Sequence, residues 1–243
     1  MKRPPNRHFP YQHPTFGTEK KPKPKRYWEE TIYFLWWSYL KRSQQYLQTC
    51  ESGGKKGLVD LYKDFGDVRG DSFKEWWSKD SRGMRLFAEP QALSTLQVVT
   101  KDELDEIQGE TLLMSVPLSL PKKFLLERFR KILAEHHTGE RGRQYAKKSE
   151  SRYKFKGQPN IQGMKTALMV YDHLVANPKI RLWEVGRILP QFKMELEECE
   201  KKSIVPSYDL KRTIEATVSR YKRKATSSIS NAEEGEFPKS MSN

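Results

Sequence analysis

Apolar positions concentrate first between residues 27 and 48, in YWEETIYFLWWSYLKRSQQYLQ. At helical period Tyr33, Trp36, Trp37, Leu40, Gln44 and Leu47 fall on one face, and Ile32, Leu35 and Tyr39 widen it past half the circumference. A helix apolar nearly all round belongs in the middle of a fold. The apolar run is about half of the roughly 20 residues a membrane span needs, and Lys41 and Arg42 close it. The pattern therefore predicts a core helix. The functional alternative is that part of the Trp36/Trp37 pair stacks on a nucleobase.

After Gly53 and Gly54, LVDLYKDFG (58–66) reads as a short amphipathic helix ended by Gly66. Ser72 and Glu75 fit a capping box for a helix over FKEWWSKDSRGMRLF. That helix brings a second tandem, Trp76 and Trp77, and the economical reading packs the two tandems on each other. STLQVV (94–99) and TLLMSVPL (111–118) read as short strands, the second demoted to an edge by Pro117. Pro121 opens an amphipathic helix to residue 137, with Phe124, Leu125, Phe129, Ile132 and Leu133 on its apolar face. Helices are expected over 164–178, 182–189 and 191–202. A last one starts near Ser207 or Asp209, its stripe Ile214, Val218, Tyr221 and Ala225 turned inward and Arg212, Ala216, Ser219, Arg220 and Arg223 outward.

The expected fold is mainly α: two helical domains, 27–137 and 158–232, with a small two-stranded β element near 94–118. A disordered basic arm (1–26) precedes them, a basic connector (138–157) joins them and a disordered tail (233–243) follows. The second domain offers helices 164–176 and 182–189 as the scaffold of a helix-turn-helix-like unit with 208–226 as reader, although the acidic helix 191–201 intervenes.

Charge changes the picture. The 243 residues carry a net charge of +14, which favours nucleic acid or an acidic surface as partner. The arm holds Lys2, Arg3, Arg7, Lys20, Lys21, Lys23, Lys25 and Arg26 against Glu19 alone. KKPKPKR (20–26) suits phosphate neutralisation, or nuclear import in a eukaryotic host. In the connector Arg141, Arg143, Lys147, Lys148, Arg152, Lys154 and Lys156 interleave with Tyr145, Tyr153 and Phe155, which suits phosphates and stacked bases. The plain alternative is a solvated linker anchored by its aromatics. Together with Arg212, Arg220 and Arg223 these seven form the candidate nucleic-acid-binding set. Cys50 and Cys199 are far apart in sequence and imply no disulfide framework. With neither a signal peptide nor a span expected, a cytoplasmic protein is the expectation, or a nuclear one if the host is eukaryotic.

No catalytic constellation emerges. His136 and His137 are adjacent on a helix and point roughly 100° apart, awkward for one metal. Asp64, Asp67 and Asp71 lack a calcium-loop spacing and suit turns and caps. The DFG at 64–66 has no kinase partners, and Asp172-His173 has no nucleophile in view. No metal or cofactor is expected.

At YFLWWSYLKRSQQY (33–46), LYKDFGDVRGDSFKEWW (61–77) and LFAEP (86–90) the chain resembles a family of uncharacterised proteins encoded on phages, plasmids and integrated mobile elements. The resemblance covers about 27–90 and implies a bacterial mobile-element setting without an activity. The expectation is a non-enzymatic nucleic-acid-binding protein, DNA favoured, with a regulatory role in view. The alternatives are an assembly or adaptor protein for an acidic protein partner, and an enzyme with an unrecognised site. Oligomeric state stays open.

Overall fold

Trp36, fully buried, has five aromatic neighbours from distant parts of the chain: Phe65, Phe87, Tyr153, Phe155 and Phe237, with ring centroids 5.3–5.7 Å away. The computed structural model describes residues 9–70, 72–89, 112–136, 151–156 and 159–239. Among these the fold is helical and holds no sheet.

The expected helix 27–48 is three helices: α1 (Arg26–Glu29), α2 (Ile32–Leu40) and α3 (Gln44–Glu51). The breaks have a local cause. Thr31 and Ser43 adopt extended backbone, and their hydroxyls accept from the amides of Phe34 and Tyr46 at 3.3 and 2.8 Å, each capping a new N-terminus. α2 buries every residue but Phe34. α4 (Val59–Phe65) follows, then α5 (Phe73–Ser78), where Ser72 accepts from the Glu75 amide as its motif predicts. The helix expected from Phe73 to Phe87 is interrupted: Asp80 and Ser81 take positive φ, so a 3-10 turn (Lys79–Ser81) precedes α6 (Arg82–Phe87). The two tandems do meet, Trp37 lying 6.4 Å from Trp76.

α7 (Lys122–His136) buries none of its residues, and Phe124, Leu126 and Leu133 are exposed. Residues 94–99 lie outside the described ones. Residues 112–118 are described and form no strand, so the expected β element is not shown.

α8 (Ile161–Ala176) packs on α2 and on α10 (Tyr208–Glu233); a 3-10 segment (Leu182–Ile188) and α9 (Pro190–Lys201) complete that side. The division into two helical domains is not shown. Met164, Ala167, Ala225, Ile229 and Ala232 share one core with α2, and the Tyr39 hydroxyl donates to the Met164 carbonyl at 2.9 Å. A smaller core of Val170, Val185, Leu189, Leu196, Ile214 and Val218 adjoins it, with Tyr221 packed against both. Gly186 is needed there, since a Cβ would stand 2.8 Å from Ile214.

Both expected loose ends are corrected where they are described. Residues 9–25 do not hang free; they lie over the core as a strap. Phe9 packs on Tyr33 and Trp77, Tyr11 on Phe155, and Phe16 on Trp28 and Phe73. Those three aromatics outweigh the prolines and the charge. At the other end Phe237 is fully buried against Trp36 and Tyr39, which fixes the start of the expected tail.

Candidate nucleic-acid interface

α10 starts where Ser207 caps it, accepting from the Leu210 amide at 3.2 Å. Its 26 residues make a rod of about 39 Å. Ile214, Val218 and Ala225 are fully buried and Tyr221 half-buried, while Arg212, Ala216, Arg220 and Arg223 are exposed and Ser219 is half-exposed. None of the three arginines forms an ion pair with a described residue; Arg220 lies over the Tyr221 ring at 6.0 Å. A guanidinium with no carboxylate to satisfy it keeps its fork of donors for phosphate or base edges.

The connector behaves differently. Arg141, Arg143, Lys147 and Lys148 lie outside the described residues. Residues 151–156 are stitched to the body: the Tyr153 amide donates to the Leu86 carbonyl at 3.0 Å, and Phe155 bridges in parallel to Phe237. Asp64, nearly buried, accepts from Arg152 Nε and from the Tyr153 hydroxyl, both at 2.7 Å. Lys156 pairs with Glu236. Lys154 is exposed and makes no ion pair with a described residue. The stacking role expected for Tyr153 and Phe155 is therefore corrected, because both rings are part of the core. Burial, helped by the bond to Asp64, holds the Tyr153 hydroxyl well above the ordinary phenol range.

A second basic surface comes from the strap and its neighbours. A tight turn pairs Gly17 with Pro22 and leaves Lys20, Lys21, Lys23, Lys25 and Arg26 exposed. Beside it a cleft of about 800 Å³ opens between the strap, α1, α2 and α5. Phe16, Trp28 and Phe34 are half-buried in its wall, with Trp37 and Phe73 buried beneath. Lys25, Lys41 and Lys74 stand around it. Lys41 donates to the Gly70 carbonyl at 2.9 Å and lies 4.7 Å over Trp37. At the far side Arg42 grips Asp172 with two bonds, 2.8 and 2.5 Å, and donates to the Ser38 carbonyl. Phe34, Leu168 and Asp172 also line a shallower space of about 550 Å³ that reaches Lys165 and His173. Of these cleft residues the sequence points only to the KKPKPKR run, to Trp37 as a stacking ring and to Asp172 beside His173; Trp37 is buried beneath the wall, and the others are scattered over separate stretches.

The residues weighed for chemistry are occupied elsewhere or isolated. Asp67 is bonded to Arg69, which holds its carboxyl below the usual range. Asp71 and His137 are outside the described residues, and His136 is exposed at the end of α7. Among the described residues no group of three or more His, Cys, Asp or Glu side chains could hold a metal ion, and no helix is long and apolar enough to cross a membrane. No family model matches the chain, and neither a curated protein nor a solved structure matches it.

Proposed function

We propose that this chain is a non-enzymatic nucleic-acid-binding protein, DNA favoured, serving a bacterial mobile element in a regulatory role. The observation that carries the reading is the outward stripe of α10. Arg212, Arg220 and Arg223 project from one face of a long helix whose opposite face is locked into two cores, and no described acid neutralises them. Small residues between them, Ala216 and Ser219, leave room for a phosphate backbone to approach. The mobile-element setting rests on the aromatic motifs at 33–46 and 61–77 alone. An adaptor for an acidic protein is the second reading, favoured by the exposed Lys20, Lys21, Lys23 and Lys25 of the strap.

The test replaces Arg212, Arg220 and Arg223 together by Gln. Folding should persist by circular dichroism, because all three are exposed. Duplex affinity should fall, and the slope of log affinity against log salt should flatten by about 2.7, at about 0.9 per lost phosphate contact. Unchanged binding by a folded variant removes α10 from the interface.

A further inference from the structure

The cleft beside the strap combines an aromatic wall with a basic edge. Its wall holds the half-buried rings of Phe16, Trp28 and Phe34, with ring contacts of 5.2–6.0 Å to Trp37, Phe73 and one another. Phe16 and Phe34 are each braced by two rings and Trp28 by Phe16, so stacking on them costs less ordering than on free side chains. Its edge carries Lys25, Lys41 and Lys74 against Glu29, the other acid, Asp172, being neutralised by Arg42. Lys25 and Lys74 are exposed and form no ion pair with a described residue.

Partly exposed aromatic rings inside a cationic rim suit a nucleobase with its flanking phosphates. We infer that this cleft takes an unstacked base of a single-stranded nucleic acid, with Trp28 and Phe34 as stacking platforms and Lys25 and Lys74 on the adjacent phosphates. This deepens the nucleic-acid reading but rests on a different surface from the α10 stripe. Bases within a duplex are stacked on each other and cannot reach a recessed wall, so the site selects single strands or locally opened ones. An acidic polypeptide would satisfy the lysines but leave the ring faces without a stacking partner. That difference separates the two ligands.

The experiment measures anisotropy of four labelled probes with the full chain at one salt concentration: a 20-nucleotide oligo-dT, an oligo-U of the same length, a 20-base-pair duplex and polyglutamate. The expected result is that a single-stranded probe binds at least about tenfold more tightly than the duplex, with oligo-dT against oligo-U deciding between DNA and RNA. Trp28→Ala should weaken single-strand binding by about 5- to 150-fold while leaving duplex binding unchanged, which also reports that the variant is folded. Lys25→Gln with Lys74→Gln, both at exposed positions, should flatten the single-strand salt slope by about 1.4. Equal single-strand and duplex affinities, polyglutamate binding that matches oligo-dT, or a Lys25→Gln/Lys74→Gln variant with the wild-type salt slope would overturn the inference. If the duplex binds and strand preference is absent, only this inference falls. If no nucleic acid binds, the wider reading falls with it.

Discussion

Gly66 closes α4 with φ 63° and ψ −161°, a conformation essentially closed to residues with a Cβ. A Cβ there would also stand 2.7 Å from Arg82 Nη2 and 3.2 Å from its Cζ. Arg82 has little freedom to retreat. It is 8% exposed, lies 5.6 Å over the Trp76 ring and donates to the Trp76 carbonyl at 3.3 Å. Gly66→Ala therefore faces two costs. Backbone strain contributes about 1–3 kcal/mol, and displacing a bonded guanidinium about 1.5–3 kcal/mol. The lower entropy of the unfolded Ala chain offsets about 0.4–1 kcal/mol. The net loss should be about 2–5 kcal/mol. Urea unfolding followed by tryptophan fluorescence measures it, with the slope against denaturant unchanged. In an Arg82→Ala background the same substitution should cost less, because only the backbone strain remains. A loss under about 1 kcal/mol, or no coupling to Arg82, would refute this account of the turn.

Asp64→Ala should cost about 1–3 kcal/mol by stranding the Tyr153 hydroxyl, while the solvent-exposed Arg152 adds little; thermal unfolding of the full chain measures the loss. Removing residues 1–25 should lower the melting temperature by at least about 2–4 °C, because Phe9, Tyr11 and Phe16 pack on the core; an unchanged value would show that the strap contributes nothing. Burial holds Tyr33, Tyr39, Tyr46 and Tyr153 above the ordinary phenol value of 10.0. The folded state then binds more protons than the unfolded one at high pH, so stability is intact below about pH 10 and falls as pH rises beyond it. Of the eleven tyrosines, these four should give their phenolate absorbance only together with unfolding, and ionisation of all eleven in a still-folded protein would contradict the burial of these rings.

The parts of the fold legible in the sequence are those governed by local period. The buried face of α2, the inward stripe of α10 and the cap at Ser72 follow from spacing alone. The breaks at Thr31 and Ser43 did not show, because short polar residues inside an apolar run also suit a helix interior. Only the extended backbone at those positions turns them into caps. Asp80 and Ser81 hide a kink in the same way. The strap was misjudged because prolines and lysines outnumber its aromatics, yet Phe9, Tyr11 and Phe16 each find a ring to pack on. The larger core, shared by α2, α8 and α10, does not show in the sequence, because Phe155 and Phe237 sit in stretches of basic or polar composition. Of the site, the α10 arginines were readable from one helix. The cleft was not, since Lys25, Lys41 and Lys74 come together only through tertiary packing.

Nucleic-acid binding through phosphate contacts leaves a signature in its salt dependence. Titrating the unmodified chain into a labelled DNA duplex over a series of salt concentrations tests it most directly. Binding should be seen at low salt, with a linear fall of log affinity against log salt and a slope at least as steep as about −2.7 for the three α10 arginines alone. No binding at low salt, or an affinity indifferent to salt, would contradict it.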